Sequence, residues 1–130
     1  YFDENFFFYF EDLDLCKRLK NLNKKIYLIK NLFVKHNADP NDTIPMREWH
    51  YNWGMFYYHR KHYGYFKTLK LFLKKIVKFF ILKGFYFLIN KKKYLIYMCR
   101  FDGLFCQVLN KKSNVYKEFY NSNKILIDKF

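Results

Sequence analysis

A chain of 130 residues suits one compact unit rather than several domains. Its three cysteines (Cys16, Cys99, Cys106) are odd in number and lack a C-x-x-C pair, which favours reduced thiols in the cytoplasm and argues against a cysteine zinc site. The net charge of +14 points to an anionic partner, but lysines outnumber arginines 21 to 4 and no nucleic-acid motif is present, which argues against a nucleic-acid binder.

That charge is unevenly spread. Residues 1–42 hold seven basic and seven acidic side chains, so residues 43–130 carry the whole excess. A coding bias toward Lys, Asn, Ile, Phe and Tyr explains part of it, since alanine occurs once. The chain opens at Tyr1 inside an aromatic and acidic motif, which predicts a fragment whose N-terminal half lies elsewhere.

In chain order, five consecutive aromatics, Phe6 to Phe10, run into Glu11, Asp12 and Asp14. Helical spacing predicts a helix from Glu11 to about Asn23. Its first turn is acidic, as the positive end of a helix dipole favours. A carboxylate held there against an aromatic wall suits proton abstraction; ordinary capping is the competing reading. Ile26–Ile29 and Leu32–Val34 read as two short strands, and residues 37–45 as a loop rich in Asn, Asp and Pro. The front part, residues 1–45, is therefore expected to be α/β.

Residues 46–110 read as helical and basic, and 111–130 as a tail of weak periodicity. The first of these helices runs from Met46 to about Tyr63 with an aromatic stripe of Trp49, Trp53, Phe56 and Tyr57. Gly64 interrupts it. A second helix, Phe66 to about Asn90, carries Lys67, Lys70, Lys74 and Lys78 on one side and Leu69, Phe72, Leu73, Ile76, Val77 and Phe80 on the other. That pattern fits a helix lying on an anionic membrane surface, and equally a solvated face on a packed helix. It is too charged to span: its charge-free run Gly84–Asn90 falls far below the ~20 apolar residues required. A third helix runs from Lys92 to Leu109. His59 and His62, one helical turn apart without a carboxylate or cysteine beside them, read as a surface pair.

The strings Phe2-Asp3-Glu4-x-Phe6-Phe7 and Tyr9-Phe10-Glu11-Asp12-Leu13-Asp14-Leu15-Cys16-x-Arg18 resemble the C-terminal half of the catalytic domain in family-two glycosyltransferases. The usual form there is G-F-D-E-x-F-F-x-Y-x-E-D-x-D-L-x-x-R. Val34-Lys35-His36, with the histidine 24 residues after Asp12, is similar to that family's V-x-H element. Arg47-x-Trp49 through Tyr57 to Gly64 resembles the aromatic helix of bacterial members that build cell-surface glycans. The likeness covers about residues 1–65.

The resemblance implies a Rossmann-like GT-A fold, a nucleotide-sugar donor, a divalent Mg or Mn ion and inverting transfer to a glycan or lipid-linked acceptor. The place would be the inner face of the cytoplasmic membrane. It assigns Asp12 as general base with Glu11 in support. Asp3, Glu4 and Trp49 would lie on the acceptor side, Arg47 at the diphosphate and His36 at the metal. Trp49 also reads as packing. No D-x-D or glycine-rich phosphate loop occurs, so this piece alone is expected to be inactive and to hold no metal tightly. A non-enzymatic basic module on anionic membrane is the alternative, with Lys67, Lys70, Lys74 and Lys78 as its contacts.

Overall fold

The computed structural model describes residues 1–35 and 44–127. Among these residues the chain is all-helical: α1 (Glu11–Asn21), α2 (Ile44–Tyr63), α3 (Tyr65–Ile89), α4 (Lys91–Val108), a 3-10 turn (Ser113–Val115) and α5 (Tyr116–Ile127).

The expected α/β front part is therefore corrected: the described residues hold no strand, and the chain is not a Rossmann-like domain. Ile26–Ile29 and Leu32–Val34 have strand composition but remain irregular, with exposures from 56% at Ile26 to 93% at Phe33. A strand is defined by the neighbour it bonds to, and no edge is offered here.

Helix boundaries follow local chemistry. Pro45 sits in the first turn of α2, where its missing N–H costs nothing. Gly64 separates α2 from α3 with φ +85°, a conformation that suits glycine. Asn90 ends α3 and caps α4, its side-chain oxygen accepting from the Lys93 N–H at 3.0 Å. One residue thus serves each corner.

Contacts run in opposite order between α2 and α3 (Met55 on Lys75, His59 on Phe72) and between α3 and α4 (Phe80 on Phe101, Phe87 on Tyr94), so the three helices go up, down and up. Between α2 and α4 they run in the same order, from Glu48–Arg100 to Arg60–Asn110. The closest approach is at Gly103, which packs on the Trp49 backbone with no room for a side chain.

Two apolar clusters result. Phe6, Trp49, Trp53, Leu95, Met98, Cys99, Cys106, Tyr116 and Ile127 join the N-terminal segment, α2, α4 and α5. Met55, Phe56, Phe72, Phe79 and Leu104 join α2, α3 and α4. Phe10 packs against both.

Candidate functional site

The acidic motif is divided by its surroundings. Tyr9 and Phe10 both take left-handed backbone conformations (φ 66° and 71°), turning the chain sharply into α1. From that turn, Asp14 points inward and Asp12 outward.

Asp14 is fully buried. Its Oδ2 accepts from Arg18 Nε at 2.8 Å and Lys61 Nζ at 2.9 Å, and its Oδ1 from His62 Nε2–H at 2.9 Å. Burial pushes this carboxyl up, but donation from Lys61, Arg18 and His62 outweighs it and holds the pKa below the usual range. Asp3 behaves alike: Lys61 at 2.7 Å, Tyr57 at 3.0 Å and Asn5 overcome its desolvation and depress its pKa. Lys61 of α2 thus bridges two carboxylates seated before and within α1. Its own pKa is raised, since these partners outweigh its desolvation.

Asp12 has a different environment. Its side chain is exposed, and among the described residues its carboxylate accepts only the N–H of Leu13, at 2.8 Å. Beside it, Glu11 is half-buried and its Oε2 is closed off from water without a hydrogen-bond partner. The E-D-x-D string therefore separates into an ion-paired anchor and a carboxylate open to a visiting hydroxyl.

A cavity of about 690 Å³ lies beyond the aromatic turn, lined by Tyr9, Ile44, Arg47, Glu48, Tyr51, Asn52, Lys75, Phe79 and Arg100. This is within the size range of small-molecule sites. Arg47 lines it, as does the Glu48–Arg100 pair, whose bidentate geometry (2.7 and 2.8 Å) ties α2 to α4.

The remaining expected residues fall as follows. Trp49 is fully buried and its indole N–H donates to Asp102 at 2.7 Å, so it packs and has no face to offer a sugar. Glu4 is exposed. Lys67, Lys70, Lys74 and Lys78 all face solvent. His62 is not a surface residue: its side chain is 8% exposed against Asp14, while His59 donates to the Met55 carbonyl at 2.8 Å. His36 lies outside the described residues. Among the described residues no three His, Cys, Asp or Glu side chains gather as metal ligands.

Lys61 and Lys75 were not singled out in the sequence. A signal existed for Lys75, which falls off the Lys67–Lys78 stripe and lies between Phe72 and Phe79 on the packed face.

Compared with models of known families, with curated proteins and with solved structures, the chain finds no match. No helix among the described residues is long and apolar enough to cross a membrane.

Proposed function

We propose that this chain carries the acceptor-activating carboxylate of an inverting glycosyltransferase, with Asp12 as general base. One observation carries the reading: within a motif of clustered carboxylates, Asp3 and Asp14 are committed to Lys61 while Asp12 is left exposed and unpaired among the described residues. The motif resemblance supports it; the all-helical fold, which differs from the Rossmann-like one that the resemblance implies, does not.

The chemistry needs such a group. A sugar hydroxyl is a weak nucleophile, and a carboxylate within hydrogen-bond reach takes its proton as the oxygen attacks the donor's anomeric carbon. Asp3, Asp14, Lys61, His62 and Arg18 fix the start of α1 so that the base is held in place. The donor nucleotide would be bound by a part of the enzyme beyond this chain, and the acceptor would be a glycan or lipid-linked sugar at the inner face of the cytoplasmic membrane.

The test is Asp12→Asn in the complete enzyme. Loss of transfer by about 10²-fold or more, with folding unchanged, is expected for a lost base. Transfer at the original rate excludes Asp12 from that role.

A second reading is favoured by α3. Beside its exposed lysines, Leu71, Leu73, Val77, Phe80, Ile81, Phe85, Phe87 and Leu88 are also exposed, a larger apolar surface than scattered side chains produce. This arrangement suits adsorption to an anionic bilayer. Flotation with anionic vesicles checks it: changing Lys67, Lys70, Lys74 and Lys78 to Glu should abolish binding, and retained binding refutes it.

A further inference from the structure

The cavity between α2, α3 and α4 combines an exposed aromatic ring with polar groups that are already fixed. Tyr51 lines it, 45% exposed yet braced by the rings of Tyr9 and Phe10 at 5.7 and 5.2 Å. A tyrosine held this way offers flat apolar area at little entropic cost.

The polar groups stand in the same wall. Glu48 and Arg100 hold each other through two hydrogen bonds, at 2.7 and 2.8 Å, so neither has to be ordered by a ligand. Each keeps spare capacity, since carboxylate oxygens accept several bonds and a guanidinium has further N–H groups. Asn52 is buried, its amide N–H donating to the Glu48 carbonyl at 2.8 Å. Its Oδ1 takes no hydrogen bond among the described residues. Lys75 lines the cavity from α3, and among the described residues its ammonium bonds only the Met55 sulfur, at 3.4 Å, a weak acceptor. Donors and acceptors are thus both on offer. An anion would be repelled by Glu48, and a cation by Arg100 and Lys75. A neutral polyol meets neither penalty, because each hydroxyl donates and accepts.

The cavity is also tied to the acidic motif. Tyr9 lines it and stands three residues before Asp12, so their Cα atoms lie within about 11 Å by chain reach alone. Gly54 seats that turn on α2: a Cβ there would come within 3.1 Å of the Tyr9 carbonyl oxygen.

We propose that this cavity seats a neutral pyranose of the acceptor glycan, its ring against Tyr51 and its hydroxyls on the Glu48–Arg100 pair, Asn52 and Lys75. The proposal rests on the reading of Asp12 as base for naming that glycan the acceptor. One sugar unit occupies the cavity while a neighbouring unit presents its hydroxyl to Asp12.

Saturation-transfer NMR titration of the full chain tests this. The probes are methyl β-glucopyranoside, methyl β-galactopyranoside and methyl α-rhamnopyranoside; the control is 2-methoxytetrahydropyran, a like ring without hydroxyls. Saturable binding of at least one glycoside is expected, and none of the control. Tyr51→Ala should weaken it about tenfold, the scale of one lost aromatic contact. Tyr63→Ala removes a similarly exposed ring (48%) from α2 outside the cavity and should change affinity less than about twofold. Asp12→Asn should also leave binding within about twofold. A failed base at position 12 would therefore leave this site standing, and a failed site would leave the base to be judged by transfer alone. The proposal is overturned by absence of saturable glycoside binding or by equal binding of the control. A Tyr51→Ala loss no greater than that of Tyr63→Ala or Asp12→Asn overturns it as well.

Discussion

Exchanging the two central carboxylates for amides, one at a time, separates anchor from base. Asp14→Asn keeps the side chain's shape but removes the charge that Lys61, Arg18 and His62 all address. Breaking a buried ion pair by deleting one partner costs about 3–5 kcal/mol. Two features lower that figure here: Lys61 keeps Asp3, and the Arg18 side chain, 35% exposed, can turn to water. A loss of about 2–3 kcal/mol remains, which for a chain of this length lowers the melting midpoint by about 10 °C. Asp12→Asn breaks no ion pair among the described residues and should leave the midpoint within about 2 °C. Urea and thermal unfolding followed by circular dichroism measure both. If Asp12→Asn destabilises as much as Asp14→Asn, the division of labour in the motif is wrong, and any loss of activity at position 12 would report on folding.

Further outcomes follow from the core. His50 lies between the rings of Phe7, Trp49 and Tyr116 with neither nitrogen hydrogen-bonded among the described residues, and burial pushes its pKa down to about 4. The unfolded chain takes up this proton first, so stability should fall by about 3 kcal/mol as pH drops from about 6.5 to 4. His50→Phe should flatten that slope; an unchanged slope refutes the assignment. Asp3 and Asp14, with lowered pKa values, stabilise above their ordinary range, and their contribution should vanish only on further acidification. Burial also raises both core thiols, Cys106 to about 12, so a maleimide should label exposed Cys16 and spare Cys99 and Cys106 in the native chain. Gly103→Ala should force α2 and α4 apart and cost about 2 kcal/mol or more in urea unfolding, a result that a tolerant site would contradict.

The corners at Gly64 and Asn90 made α2, α3 and α4 legible, because a breaker and a capping residue fall between long apolar periodicities. Elsewhere local signals misled. Ile26 to Val34 has the composition of strands, but composition cannot say whether a hydrogen-bonding neighbour exists. Helix α5 lacks a clear repeat and is held by Tyr116, which packs on Trp49 and His50. In the site, the acidic first turn of α1 was visible, yet the burial of Asp14 depends on Lys61 and His62, about 47 residues away. Likewise, the cavity wall joins Arg47 to Lys75 and Arg100 across three helices, a proximity no local window contains.

The uncovered stretch from Ile26 to Val34 also governs how the molecule behaves in concentrated solution. Its two sticky runs are bracketed by Lys24, Lys25, Lys30 and Lys35, whose mutual repulsion acts as a gatekeeper against intermolecular sheet growth. Salt weakens that guard by screening it, so this chain should stay dispersed in dilute buffer and become prone to β-rich self-association as ionic strength rises.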